Sequence, residues 1–390
     1  MHHETFRTAK KIASRIELIN RLEYSKRSTL KPFRYKALEG PEVDPMTAVN
    51  EDYSDWQQIE PNRYWGDWET DFLRRLAFEV PSDFDPEAPL ALWLPLGEAG
   101  DFIHPEALVY LDGKPLTSCD RFHQEVLLPA EVHDGKSHQL TLHGWTGRGE
   151  WDNARQGEQL FMRPCELVQV NQATRDFLAT SRVALGIAQS VEPDNPAGPL
   201  LLNALDKAFI RLDTAEPLGG DKFYNSVKQA RQLLRKGMEA AGPPMNVEIG
   251  AVGHAHIDVA WLWTLGQTRR KCGRTFHNMV NLMERYKEFV FAQSQPQLYD
   301  YVKKDYPELF EAIKKKVADG QWEPLGGMWV EADCNVSGGE SLARQLILGR
   351  SFYAEHFGPG ADSRVLWLPD VFGYAWNLPQ LINQAGLAYF

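Results

Sequence analysis

Two histidines and an aspartate occupy alternate positions in the stretch GHAHIDVAW, residues 253–261. They are His254, His256 and Asp258, and they interrupt a run that otherwise resembles a buried strand. Burying ionisable side chains is costly unless something compensates their charge. Side chains two residues apart on a strand share a face, so His256 and Asp258 can reach one ion. An imidazole nitrogen and a carboxylate oxygen suit a divalent transition metal such as zinc.

Further carboxylates follow the later predicted strands. Glu331 and Asp333 occur in WVEAD, and Asp370 occurs in WLPD. Purely structural interpretations exist as well. Asp333 could be an N-cap or turn carboxylate, and Asp370 a turn residue. The His-x-His-x-Asp motif could be a strand terminus whose polar groups form hydrogen bonds with loop backbone. Their shared position at strand ends favours a common pocket, since barrel enzymes place their chemistry at the carboxyl ends of the strands.

The elements that must position these residues begin at residue 247, where predicted strands alternate with helices. The strands are VEIGAVGH, FVFAQS, a third within WEPLGGMWV, which also contains its exit loop, and VLWLPD, and LAYF is the start of a fifth. Such βα alternation predicts a parallel sheet, open or closed. The sequence stops within the fifth strand, so we expect a fragment of a longer protein.

Four segments are predicted along the chain, which makes the fold class multidomain, α/β plus β. Residues 1–55 form a helix, with Ile12, Ile16 and Ile19 on one face, and an extended segment. Residues 56–170 form a β-sandwich, in which Asp112-Gly113 is a hairpin signal. Residues 171–245 form a helical region ending in a Gly-Pro-Pro linker. Residues 246–390 form the first part of a barrel, truncated at residue 390.

Composition excludes several classes of protein. The 390 residues are 43% hydrophobic and 24% charged, a balance typical of folded globular proteins. A net charge of −11 argues against a nucleic-acid partner. We expect no membrane span, because no run of about 18 apolar residues occurs. The amino terminus lacks the apolar core of a signal peptide, and the four cysteines show no CxxC spacing. A reducing, cytoplasmic location is therefore expected.

Three long motifs together resemble a known family. GHAHIDVAWLW, AQSQPQLYDYVKKDYPELFEAIKKKVADGQWEPLGGMWVEADCNVSGGESLARQLILGR and VLWLPDVFGYAWNLPQLINQAG are similar to the amino-terminal catalytic segment of the family 38 glycoside hydrolases, the class II α-mannosidases. The variant resembles the cytosolic and vacuolar branch. The resemblance covers residues 247–390 densely and implies a (β/α)7-type barrel that holds a divalent metal, zinc above all, with cobalt as an alternative.

The resemblance also implies roles for individual residues. His256 and Asp258 match a pair of metal ligands, and Asp333 matches the aspartate that both binds the metal and attacks the sugar. Trp261 falls beside the bound mannose, and Asp370 lines the pocket. The implied reaction is retaining hydrolysis of terminal α-linked mannose from oligosaccharides through a covalent glycosyl-aspartate.

The family uses a further metal histidine and an acid/base aspartate, which are expected beyond Phe390. We therefore expect the 390-residue chain alone to be inactive. The resemblance to the cytosolic branch, whose amino-terminal regions help to build oligomers, implies that the full-length enzyme is a homo-oligomer. The sequence leaves linkage specificity, the natural substrate and the identity of the metal open.

Two alternatives remain at this point. Another metal-dependent barrel hydrolase, an amidohydrolase or deacetylase, would use His254 and His256 as a ligand pair that activates water. A non-catalytic carbohydrate-binding module would use the tryptophan-rich sandwich, although those tryptophans can also fill a core.

Overall fold

The computed structural model describes residues 7–43, 52–97, 104–148, 160–215, 217–361 and 363–390. Parts of the predicted segments 1–55 and 56–170 therefore lie outside the described residues. Within the described ranges, the chain has a mixed α/β architecture with two larger antiparallel sheets, a two-stranded antiparallel sheet, a helical bundle and a parallel sheet.

Most of the strands lie in the amino-terminal sheets. They are β1 Tyr24–Thr29, β2 Phe33–Leu38, β3 Gln57–Ile59, β4 Arg63–Trp65, β5 Asp71–Glu79, β6 Leu90–Trp93, β7 Glu106–Leu111, β8 Lys114–Asp120, β9 Glu125–Leu127, β10 Ser137–Trp145, β11 Leu160–Met162 and β12 Glu166–Val170. One sheet has the order β1-β12-β6-β9, a second has β3-β2-β5-β10-β7-β8, and β4 pairs with β11. Their pairing is antiparallel, as expected for the predicted β-sandwich.

A single apolar core joins the two larger sheets. Phe72, Leu92, Val109 and Leu142 are among its fully buried members. Trp65 also lies in this core, 4% exposed, so this sandwich tryptophan packs in the interior. The predicted hairpin is present, since β7 and β8 flank Asp112-Gly113, and both turn residues have positive φ as a type I′ turn requires.

The segment after the first helix was predicted to be extended, but it forms strands that pair within the sandwich sheets. Strand β2 lies there and pairs with β5, and β1 pairs with β12, so both strands complete the sandwich sheets. The reason is local, because Phe33 at the start of β2 is buried in the sandwich core. The sequence between 44 and 51 lies outside the described residues.

Four helices form the bundle beside the sandwich: α1 Thr8–Ile19, α2 Gln172–Ser190, α3 Ala197–Arg211 and α4 Asp221–Ala241. The predicted face of α1 is confirmed, since Ile12, Ile16 and Ile19 are at most 3% exposed and pack with Phe177 and Leu205. Asn171 caps α2 by accepting a hydrogen bond from the backbone N–H of Thr174. The first helix thus belongs to the same core as residues 172–241.

A parallel sheet begins after the bundle, with β13 Gly253–His254, β14 Phe291–Gln293 and β15 Trp322–Pro324 in that order. The helices of this part are α5 Leu265–Arg285, α6 Pro296–Asp305, α7 Pro307–Ala318, α8 Gly339–Phe357 and α9 Leu378–Gln384. Parallel pairing of successive strands with helical connections agrees with the predicted βα order.

Two predicted strands are shorter than the sequence indicates. Residues 247–252 are not in a strand, and Val247, Ile249 and Val252 are all more than 60% exposed. The fourth strand, VLWLPD, is reduced to one parallel bridge between Val365 and Tyr389. Strand-like apolar runs form a ladder only where a neighbouring strand satisfies their backbone groups. The described sheet contains three strands and is not a closed barrel.

Helix α5 attaches the parallel sheet to the sandwich. Gln267 donates two hydrogen bonds of 2.8 Å to the carboxylate of Asp71, and Glu106 accepts from Lys271 and Arg274 at 3.0 Å. No helix among the described residues has the length and apolar character that a membrane crossing needs.

Candidate metal centre

Three ligand-type side chains converge just beyond the parallel sheet. His256 and Asp258 follow β13 directly, and Asp370 comes from the loop after Val365. Nε2 of His256 lies 3.4 Å from Oδ1 of Asp258 and 3.5 Å from Oδ2 of Asp370. One ligand atom from each residue lies within 4.8 Å of the other two. The predicted pair of His256 and Asp258 is therefore brought together, with Asp370 as the third member.

Glu331 holds the other side of the His256 ring. Its side chain is only 4% exposed, and its Oε2 accepts a hydrogen bond of 2.5 Å from Nδ1 of His256. Because a carboxylate only accepts, Nδ1 must carry the proton, which leaves Nε2 for the two aspartates or an ion. A carboxylate behind a ligating histidine fixes its orientation and increases its basicity.

A short hydrogen-bond chain continues from Glu331. Ser294 donates from Oγ to Oε1 of Glu331 at 2.5 Å, and Nε2 of His254 lies 3.2 Å from the same Oγ. Since the serine proton points to Glu331, the His254 ring donates to Ser294. Burial lowers the pKa of His254, so a neutral ring is favoured. His254 thus supports Ser294 and is not one of the three converging ligands in the described part of the chain.

The charge around His256 is negative. The hydrogen bond to Glu331 raises the pKa of His256 to about 8 against the effect of burial, and Asp258 and Asp370 act in the same direction. A cation is therefore favoured here, either a proton on the imidazole or a metal ion. One imidazole and two carboxylates are a donor set that zinc accepts, so the residues fit a divalent metal.

Asp333 lies outside this group. Its carboxylate is exposed, and Oδ1 accepts hydrogen bonds from the backbone N–H groups of Asn335 at 2.7 Å and Val336 at 3.0 Å. This is the turn arrangement that the sequence offered as the alternative to a ligand role. Among the described residues the converging group contains Asp370, which the sequence assigned to the pocket wall, and not Asp333.

The predicted substrate-binding residues line one cavity of about 520 Å³. Trp261 is 48% exposed and packs edge to face on Trp263, with 5.7 Å between ring centroids. Trp261, Asp370 and the two ligands after β13 border the cavity from the parallel sheet. Its size falls in the range of small-ligand sites, about 300–1,000 Å³.

The opposite wall of the cavity comes from the sandwich. His104, Glu106 and Trp145 border it, and helix α5 contributes Gln267 and Lys271 between the two sides. The sequence indicated Trp145 only as one of the sandwich tryptophans and did not indicate the other four, because their position depends on the docking of α5 against β7 and β8. Glu331 was recognised only as a strand-end carboxylate, without its contact to His256.

Comparison with known proteins shows that the segment carrying this site is similar to one family. The sequence profile described as glycosyl hydrolases family 38 N-terminal domain matches residues 246–390. Alpha-mannosidase 2C1 of Homo sapiens is 32% identical over 296 residues, which cover 73% of this chain and 28% of that protein. Alpha-mannosidase G of Dictyostelium discoideum is 46% identical over 142 residues, or 36% of this chain and 13% of the relative.

A solved structure of an alpha-mannosidase from Enterococcus faecalis V583 is also similar, with 26% sequence identity and a TM-score of 0.33. The match covers 35% of this chain and 15% of that chain. The chain spans between about an eighth and somewhat over a quarter of the length of the curated relatives named above. Residues 246–390, which carry His256, Asp258 and Asp370, therefore match the amino-terminal domain of glycosyl hydrolase family 38.

Proposed function

We propose that the complete gene product is a retaining α-mannosidase that removes terminal α-linked mannose from oligosaccharides. The observation that carries this proposal is the convergence of His256, Asp258 and Asp370 within the segment that matches family 38. The relatives named above are alpha-mannosidases by name, which agrees with a mannoside substrate.

In this proposal His256 and Asp258 hold a divalent metal, with zinc preferred and cobalt as the alternative. Asp370 is positioned as a further ligand, and Asp333 stays a proposed ligand and nucleophile through the family resemblance. When bound, the ion supplies positive charge that orients sugar hydroxyls and stabilises a nearby carboxylate. Glu331 fixes the His256 ring so that Nε2 faces the site.

The proposed reaction uses Asp333 as the nucleophile. Its carboxylate oxygen forms a bond to the anomeric carbon while the bond from that carbon to the leaving oxygen breaks. A separate carboxylic acid donates the proton to the leaving oxygen, and water then hydrolyses the glycosyl-aspartate with retention. Trp261 offers an aromatic face to the apolar side of the ring. The two backbone N–H groups that donate hydrogen bonds to Asp333 hold its carboxylate in a fixed orientation.

The chain by itself is a different case. It covers 28% of alpha-mannosidase 2C1, so we propose that the 390 residues alone are inactive. We also propose a cytoplasmic homo-oligomer that acts on neutral glycans. All four cysteines are buried and unpaired, as in proteins of a reducing compartment, and the net charge of −11 disfavours nucleic acid.

Hydrolysis of 4-nitrophenyl α-mannoside by the complete gene product tests the function. The β-anomer is the matched control substrate, and an acetylated amide tests the alternative hydrolase. We expect turnover of the α-mannoside only. Turnover of the amide without turnover of the mannoside would support the amidohydrolase, which is disfavoured because His254 contacts Ser294.

A further inference from the structure

We propose that the β-sandwich forms a second sugar-binding subsite in the candidate active-site cavity, in which His104 and Trp145 bind the neutral sugar unit linked to the mannose. This inference rests on the proposed function and extends it to the substrate, an oligosaccharide with at least two sugar units. The cavity is bordered by the candidate metal ligands on one side and by His104, Glu106 and Trp145 of the sandwich on the other.

Polar atoms around the sandwich side lack partners. Nδ1 of His104, Oε1 of Gln267 and Nε of Arg274 are shielded from solvent and make no hydrogen bond within the described residues. Gln267 and Arg274 are themselves only 5% and 4% exposed. Buried polar atoms are nearly always satisfied, and these three belong to residues that border the cavity, so a ligand there would satisfy them once the side chains turn towards it.

The charge of this wall selects a neutral ligand. Glu106 accepts from Nζ of Lys271 at 3.0 Å and from Nη2 of Arg274 at 3.0 Å, so these cations already have an anionic partner. Gln267 is engaged with the carboxylate of Asp71. An anionic sugar would have to compete with Glu106, whereas a sugar hydroxyl both donates and accepts without carrying charge.

The position of His104 is fixed by its surroundings. Its ring packs edge to face on Phe122, with centroids 5.2 Å apart. Gly147 has a φ of +80°, and a Cβ there would come within 2.8 Å of the His104 backbone. This close approach requires glycine and holds the start of β7 beside the end of β10, where Trp145 lies. A preorganised imidazole next to an aromatic ring suits a pyranose.

Two substrates separate this subsite from the mannose site: an α-linked mannobiose and 4-nitrophenyl α-mannoside, both assayed with the complete gene product. His104→Ala should lower the ratio of kcat/KM for the disaccharide to kcat/KM for the aryl mannoside about three- to tenfold, the equivalent of one lost hydrogen bond. The loss should occur in KM, and His104→Asn should restore part of it. The matched control is His123→Ala, an exposed histidine of the same sandwich that does not border the cavity.

An unchanged ratio in His104→Ala, or an equal loss on both substrates, would overturn the inference and leave the mannosidase assignment intact. If His104→Ala does not fold, Trp145→Phe provides the second test with the same expected and contradicting ratios. A wild-type protein inert on both mannosides would overturn the proposed function and this inference with it.

Discussion

Nδ1 of His256 and Oε2 of Glu331 lie 2.5 Å apart, and this contact orients the ring so that its other nitrogen faces Asp258 and Asp370. Glu331 comes from the residues after β15, two strands away from β13. The orientation of the candidate ligand therefore depends on correct assembly of the parallel sheet.

Removing the charge of Glu331 should weaken metal binding without removing a ligand. We expect Glu331→Gln to lower zinc affinity about 10- to 100-fold, as for other carboxylates that support a ligating histidine. Competition with a chromophoric chelator measures this affinity. Glu323→Gln is the matched control, since Glu323 is an exposed carboxylate on β15, the strand that precedes Glu331. Equal affinities for wild type and Glu331→Gln would contradict the proposed role.

The two aspartates Asp333 and Asp370 should differ in whether their loss removes the nucleophile. Asp333→Asn should abolish hydrolysis of an aryl α-mannoside by the complete gene product, because the nucleophile is lost. Asp370→Asn should lower zinc affinity, because Asp370 lies 3.5 Å from Nε2 of His256. Parallel measurement of turnover and bound metal in both variants distinguishes the roles. Full turnover by metal-free Asp333→Asn would exclude the proposed chemistry.

The docking of α5 on the sandwich should depend on Glu106. Glu106→Gln leaves Arg274, which is 4% exposed, without its carboxylate, and we expect a loss on the order of 3 kcal/mol in the free energy of unfolding. Chemical denaturation measures the loss. The control is Glu69→Gln, which removes a surface pair with Arg148 and should cost less than about 1 kcal/mol. Similar small losses in both variants would show that the ion pair does not hold the interface.

Acid should destabilise the sandwich through His143. Burial, reinforced by Arg270 and Arg274, lowers the pKa of His143 from 6.5 to about 3. The unfolded chain binds this proton at higher pH than the folded chain, so the stabilisation is complete above pH 6.5 and is lost as pH falls towards 3. The expected slope for this group is about 1.4 kcal/mol per pH unit.

Chemical denaturation of wild type and of His143→Gln, carried out between about pH 7 and pH 4, measures that slope. The variant lacks this titrating group, so its stability relative to wild type should rise by about 1.4 kcal/mol per pH unit as pH falls. Curves that stay parallel throughout the range would show that His143 does not carry the acid sensitivity.

The sequence predicted those parts of the fold that depend on local patterns. The apolar face of α1, the hairpin at Asp112-Gly113 and the helices between 172 and 241 follow from spacing and turn chemistry alone. The first predicted strand of the parallel sheet was too long, since residues 247–252 are not in a strand. An apolar run forms a ladder only beside a partner strand.

The proximity of the first two candidate ligands was predictable, and the other walls of the site were less so. His256 and Asp258 are two residues apart, so one local pattern places both. Asp370 comes from a loop more than 100 residues later, and its distance from His256 depends on loop conformation that spacing does not encode. His104 depends on the docking of one domain on another, for which the sequence holds no short-range signal.

Metal removal and replacement in the complete gene product tests the central claim most directly. Hydrolysis of 4-nitrophenyl α-mannoside should disappear after dialysis against a chelator and return on addition of Zn²⁺ or Co²⁺, and His256→Ala should fail to recover. Full activity in the chelated wild-type enzyme, with no metal detected by elemental analysis, would contradict a metal held by His256 and Asp258.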